Sequence, residues 1–593
     1  MASLTESLPH TALRRLFESA CDSGEASWFS LPGGAPLFLA GEVADRLFLL
    51  RTGRLGAVRR REGQEPGLLG VIRPGEPAGE MALITGSAHT TDVVALRDSE
   101  VLALPRSAFF RAAEHDPLLM AELARLMIMR ARQSTAKSYI GEPSAFGFMG
   151  LVSGLPVRPI VNRIARAIEA LGYSVTVAGV EAQHCPTEWF SNLEHMHDFV
   201  LYAAEADEPA WKLLVGRQAD RLFRIARATK PPPRTLDVLA GAALQAHGLV
   251  DLILVQRPDC RSPEGSASWT EALKPSRLFQ LRASNRGDTA RLALIVSGQA
   301  VGLVLSGGGA RALAHIGAVR ALRQRDVPID FVAGVSMGAI IAAGVAMGWG
   351  DEELSWRIRK AFVETSPLDD IALPLIAMTH GDKVRARLTE HFGETQICDL
   401  WLPFFCVSSN LTTGSYQIHK RGLLREALRA SVSVPGVLPP VIFGNDVLVD
   451  GAVMKNFPAD IMRTIQPGPI IGVDVSRGRS IEARDVRRPA SLWRWLLSGE
   501  WRKGPPIVSL LMRAATMATG PDIAAAREAT DVLILPAIDK IEIRDWKAFF
   551  AAADAGERAT LEVLDALPGP VTTLHRRALR EAATVEMSAT SFG

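Results

Sequence analysis

Residues 331–350 read FVAGVSMGAIIAAGVAMGWG, a stretch without a charged side chain. It is long and apolar enough to cross a bilayer. Its internal pattern says otherwise. Gly334-Val335-Ser336-Met337-Gly338 breaks the run with two glycines around a serine, and alanine and glycine dominate residues 339–350. An apolar run, a tight turn and a small-residue helix make a buried strand–turn–helix. Gly334 and Gly338 allow a turn sharp enough to project the Ser336 hydroxyl at a helix N-terminus. There, backbone amides and the helix dipole favour negative charge. Ser336 is the candidate nucleophile of an α/β layer domain.

Working outward, residues 305–311 read LSGGGAR, again between an apolar run (VGLVL) and a helical one (ARALAHIGAVRAL). Consecutive glycines expose backbone N–H groups. Gly307, Gly308, Gly309 and Ala310, with the cation of Arg311, are therefore candidates for an oxyanion hole. Gly307-x-Gly309-x-x-Ala312 also fits a dinucleotide fingerprint, but that motif needs an acid at the end of the second strand. Here Asp330 begins that strand and the serine ends it. The third block, residues 447–452, reads VLVDGA and puts Asp450 at the end of a buried strand. A serine needs a base. The only histidine after Asp450 is His575, in a charged tail, while His391 and His419 lie in polar surroundings that predict surface positions. This leaves Ser336 and Asp450 as a dyad.

The blocks GGGARALAHIGAVRAL, GVSMG and VDGA resemble the three signatures of the patatin-like phospholipases. SVPGVLPPV before Asp450, with Asn456 and Pro458 after it, is similar to the bacterial and neuropathy-target-esterase branch. The resemblance covers roughly residues 300–480. It implies a Ser–Asp dyad, an oxyanion hole from the glycine run, and hydrolysis of phospholipid or lysophospholipid acyl esters with no required cofactor. Ala312 stands where glycine is commoner and Val335 where threonine is common; neither removes a catalytic atom.

The 593 residues exceed one core and predict a multidomain chain. Residues 15–140 read as a β-roll with helices, 147–298 as a middle α/β domain, 300–570 as the hydrolase, and 571–593 as a tail. In the middle domain FMGLVSG, SVTVAGV, FVLYAAE, WKLLVG and DLILVQ read as strands. Its turn VSGLPVRP lacks the lysine and glycine spacing of a phosphate loop. The middle region resembles, more weakly, the linker of the same branch.

Residues 31–135 resemble a cyclic-nucleotide-binding domain through LFLAGEVADRLFLLRTGRLGAV and GEMALITGSAHTTDVVAL. The resemblance implies a site at Gly79, Glu80, His89 and Thr90, with Glu80 for the ribose hydroxyl. His89 stands where an arginine would hold the cyclic phosphate, and a neutral imidazole lacks that charged fork. A degenerate sensor is expected, with weak or no nucleotide binding; Glu80 as a plain solvated loop acid is the alternative.

A net charge of +2 and the absence of compact basic tracts argue against nucleic acid. Five scattered cysteines without a CxxC argue against a disulfide framework and a zinc site, and the N-terminus lacks an apolar signal core. These features predict a cytoplasmic protein, peripheral at the inner face of the membrane. RRPASLWRWLLSGEWRK, residues 487–503, combines tryptophans with basic residues and is the expected membrane contact, with core packing as its alternative. Oligomeric state is not legible. The rival functions are a nucleotide-responsive regulator without chemistry, a catalytically inactive scaffold, and a protease or general esterase on the same dyad.

Overall fold

Aliphatic alternation broken by glycine turns gives the N-terminal part a six-stranded antiparallel roll. Its strands are β1 (Ser27–Leu31), β2 (Pro36–Phe38), β3 (Arg46–Arg59), β4 (Gly67–Ile72), β5 (Pro77–Ala78) and β6 (Asp92–Pro105). The computed structural model describes residues 11–59, 67–135, 144–233, 244–245, 248–365, 370–372, 376–476 and 520–574. The order is β1-β6-β3-β4, with β2 on β6 and β5 on β3. HTTDVVAL and SEVLALP, which read as two strands, fall in one 14-residue strand, β6. The polar break between them faces a register shift in β3 around Gly53. A Cβ at Gly53 (φ 95°) would lie 2.3 Å from the Ser99 Oγ, so only glycine lets β3 bulge there. Helices Glu80–Thr85 and Leu118–Thr135 pack on the roll.

The middle sheet is wholly parallel: β7 (Ala145–Gly150), β8 (Val175–Ala178), β9 (Phe199–Ala204), β10 (Arg221–Arg227), β11 (Val250–Gln256) and β12 (Leu278–Arg282), in the order β12-β11-β10-β7-β9-β8. β7, β9 and β11 are buried along their whole length, as expected of parallel strands covered on both faces. WKLLVG is not a strand; it lies in the helix Pro209–Gln218. Pro209 opens that helix, and Trp211 and Val215, four residues apart, share its buried face. In the turn VSGLPVRP, which lacks a phosphate loop's spacing, the Glu205 carboxylate accepts the Val157 and Arg158 N–H groups at 3.0–3.1 Å. An acidic side chain thus fills the helix N-terminus that a phosphate would need.

Roll and middle sheet share one core. Val58, Val94 and Leu96 cluster with Tyr202, Trp211, Val215 and Leu222. At the same junction, Arg97 makes a bidentate pair with Glu194 at 2.6 and 2.8 Å, and Arg54 meets Asp220 at 2.9 Å. Burial alone would raise the Asp220 carboxyl pKa, but Arg54 and Arg97 hold it below its ordinary value.

The second compact unit comprises residues 259–267 and those from 297 onward. Its strands are β13 (Gly302–Leu305), β14 (Phe331–Val335), β15 (Phe404–Asn410), β16 (Ser415–His419), β17 (Val441–Phe443), β18 (Asp446–Asp450), β19 (Ile470–Val473) and β20 (Val532–Ile534). The order is β17-β18-β15-β14-β13-β19-β20, with β16 also on β15. The strands β15-β14-β13-β19-β20 run parallel, and β18 returns antiparallel to β15. The run 331–350 forms β14, a turn and the buried helix Met337–Ala346. Among the described residues no helix is long and apolar enough to cross a membrane. The segment 487–503, His575 and most of the tail lie outside the described residues.

Candidate active site

β15 brings the C-terminal ends of β14 and β18 together: β14 pairs with it in parallel, Val335 against Val407, and β18 antiparallel, Asp450 against Ser408. Ser336 follows β14 directly, with φ 54° and ψ −129°. This positive φ is strained for a residue with a side chain and marks a nucleophile elbow. A Cβ at Gly334 would come within 2.6 Å of the Gly338 backbone, and one at Gly338 within 2.4 Å of the Ser306 carbonyl oxygen. The glycines leave the serine room to turn.

The Ser336 hydroxyl donates to Asp450 Oδ2 at 2.7 Å, and Asp450 Oδ1 accepts the Ala452 N–H at 2.8 Å. Asp450 is 1% exposed and Ser336 7%. Burial pushes the Asp450 pKa up to about 6; the Ala452 and Ser336 hydrogen bonds oppose the rise. Among the described residues, neither partner of this pair bonds a histidine. His315 Nε2 is hydrogen-bonded to the Ser306 carbonyl, and burial pushes that imidazole down to about 4. His419, expected at the surface, is buried and held by Ser408 Oγ at 2.7 Å. It ends β16, which pairs with β15 alone; of that strand only this last residue is buried, against Cys406 of β15.

The glycine run borders the serine: a Cβ at Gly307 would lie 3.2 Å from the Ser336 Cβ. The Gly307 N–H donates to the Asn456 carbonyl at 3.3 Å and the Ala310 N–H to the Ile543 carbonyl at 2.8 Å. The Arg311 Nε donates to the Ile541 carbonyl at 2.7 Å. Gly308 and Gly309 carry the N–H groups of the run that make no backbone hydrogen bond among the described residues.

In the roll, Gly79 (φ 86°) caps the helix that Glu80 begins. Glu80 is 2% exposed, which overturns the solvated-acid alternative, and its carboxylate accepts from Arg130 at 2.6 Å. Arg130 comes from the helix Leu118–Thr135. The His89 ring stacks on Phe38 with centroids 3.7 Å apart, and Thr90 is exposed.

Residues 303–463 match the patatin-like phospholipase family and residues 28–116 the cyclic nucleotide-binding domain. An uncharacterized NTE family protein of Mycobacterium tuberculosis is 31% identical over 91% of this chain and 92% of its own length. The chain belongs to the NTE family. Rat patatin-like phospholipase domain-containing protein 7 is 26% identical over 84% of this chain and 42% of its own. Drosophila melanogaster neuropathy target esterase sws is 25% identical over 89% of this chain and 42% of its own. The chain thus spans under half the length of these animal relatives. Among solved structures, Thermus thermophilus catabolite activator protein covers 28% of the chain at 24% identity, with a TM-score of 0.20.

In this NTE family member the structure adds site residues that spacing did not reveal. Ser431 Oγ accepts the Ser336 N–H at 3.0 Å, and the Ser433 carbonyl accepts the Asp450 N–H at 2.8 Å. Asn456 Nδ2 donates to the Gly307 carbonyl at 3.3 Å. Ser433 opens the family-like phrase SVPGVLPPV and Asn456 follows Asp450 in the same resemblance, neither with a role; Ser431 lies two residues before that phrase and carried no sequence signal.

Proposed function

We propose that this NTE family protein is a serine carboxylic-ester hydrolase that cleaves acyl esters of phospholipid or lysophospholipid. The 2.7 Å hydrogen bond between the Ser336 hydroxyl and buried Asp450 carries this reading. Asp450 accepts the hydroxyl proton as Ser336 Oγ attacks the ester carbonyl. The Gly308 and Gly309 N–H groups take the oxyanion. Collapse breaks the ester C–O bond, and the leaving alkoxide recovers the proton from Asp450. Water then attacks the acyl-serine and gives a proton to Asp450; collapse breaks the bond between the acyl carbon and Ser336 Oγ, Asp450 returns the proton to Oγ, and the fatty acid leaves. Desolvation makes Asp450 a stronger base than an aspartate in water, while leaving it ionised at neutral pH. Fatty-acid release from a panel of phospholipids and lysophospholipids tests the reading. Ser336→Ala should lower it by roughly 1,000-fold or more with the fold intact. Near-wild-type release would refute the assignment.

Contact with a lipid surface is part of this reading. The β15–β16 turn (411–414) and the β17–β18 turn (444–445) both extend past the C-terminal end of β15, the end beside which Ser336 lies. Leu411, Ile442 and Phe443 on these hairpins are 53%, 78% and 48% exposed.

For the roll, we propose that control does not run through a cyclic phosphate. The engagement of Glu80 by Arg130 and the stacked His89 ring, whose pKa burial lowers, support this. Titration calorimetry with cyclic AMP and cyclic GMP should give no heat of binding; micromolar affinity would overturn it.

A further inference from the structure

β14 and β15 bond as a regular parallel ladder up to the nucleophile. The Val332 N–H donates to the Pro403 carbonyl at 3.0 Å. Parallel rungs recur every two residues on each strand, so the series continues Val332–Pro403, Gly334–Phe405, Ser336–Val407. At the last rung the direct bond is replaced. The Ser336 N–H donates to Ser431 Oγ at 3.0 Å, and Ser431 Oγ–H donates to the Val407 carbonyl at 2.7 Å. A side-chain hydroxyl is inserted in the ladder where the chain leaves the strand.

The insertion has a physical reason. The elbow twists Ser336 to φ 54°, away from strand geometry, so its N–H and the Val407 carbonyl need a spacer. Ser431 is fully buried, and its single hydroxyl has a fixed polarity: its proton goes to Val407 and a lone pair to Ser336. Ser431 ends the helix Leu424–Ser431, and two residues on, the Ser433 carbonyl holds the Asp450 N–H. Arg429 fixes that segment through Ser433 Oγ at 2.5 Å and the Pro439 carbonyl at 3.2 Å. One three-residue segment therefore holds the main chain of both the nucleophile and its base.

We infer that Ser431 is the positioning residue of the dyad: its hydroxyl fixes the elbow so that Ser336 Oγ points at Asp450. The inference rests on the proposed hydrolase reading. It separates from a purely structural role because losing the hydroxyl misaims the nucleophile without touching substrate binding.

The test uses the full chain, p-nitrophenyl butyrate as a soluble ester, and a fluorophosphonate that labels an active serine. Ser431→Ala should lower kcat on the order of 100-fold. KM should stay within about twofold, and labelling should slow in parallel with kcat. Ser431→Thr and Ser431→Val carry the same steric load and differ by the hydroxyl. Thr should exceed Val in kcat by about tenfold, the worth of one hydrogen bond, at matched melting temperature. Equal kcat in Thr and Val, or wild-type kcat in Ser431→Ala with Ser336→Ala inactive, would overturn the inference alone. Full activity in Ser336→Ala would instead remove the hydrolase reading, and this inference with it.

Discussion

In the proposed reaction Asp450 is a base that is also buried, and that conflict has measurable signs. With a pKa of about 6, it must be ionised to accept the serine proton. kcat/KM on a soluble ester should therefore fall tenfold per pH unit below about 6 and level off above it. A profile flat down to pH 4.5 would contradict this. Stability runs the other way. The unfolded aspartate ionises near its ordinary value of 3.8, so from there to about 6 the folded chain holds the extra proton. Stability accordingly falls as pH rises through that window, and the loss is complete above it. A shift of this size corresponds to ~3 kcal/mol. Asp450→Asn should thus be inactive yet melt above wild type at pH 8, with the gap closing by pH 4. A wild type more stable than Asp450→Asn at pH 8 would show that the carboxylate is better stabilised than its burial suggests.

At the scale of elements, the hairpins beyond β15 should matter only when the substrate sits in an aggregate. Ile442→Asp with Phe443→Asp should reduce fatty-acid release from vesicles about tenfold or more while leaving a soluble ester untouched, since the apolar area removed from water is lost but the dyad is not. Equal losses on both substrates would place the hairpin in the fold instead. The elements also mark what local sequence can express. The elbow and the glycine run were legible because each is a contiguous pattern whose constraint, room for a tight turn, acts on neighbours in the chain. WKLLVG misled because apolar runs of that length suit strand and helix alike, and the proline that opens the helix stands just outside it. Ser431 lies 95 residues from the amide that it holds, and Arg130 lies 50 from Glu80. Neither pairing leaves a periodic trace; each exists only once sheet register or helix docking is set.

At the scale of the molecule, the three sequence domains do not behave as three bodies, because the roll and the middle sheet enclose a common set of buried charges. Arg97, 6% exposed, serves Glu194 across that junction and lies 3.6 Å from Asp220. Removing one partner of a buried ion pair leaves the others desolvated and commonly costs about 3–5 kcal/mol. Arg97→Leu should therefore speed hydrogen exchange in β6 and in β7 and β9 together. Acceleration confined to the roll would mean that the junction is only a surface contact. The shared core also bears on descent. A recombination event at the roll's C-terminal boundary would hand the newcomer a facing surface shaped for Val58, Val94 and Leu96, with Glu194 and Asp220 awaiting two arginines. Few donors could meet both demands at once. The roll would then persist through lineages by the fit of its underside, whatever changes come to its opposite face.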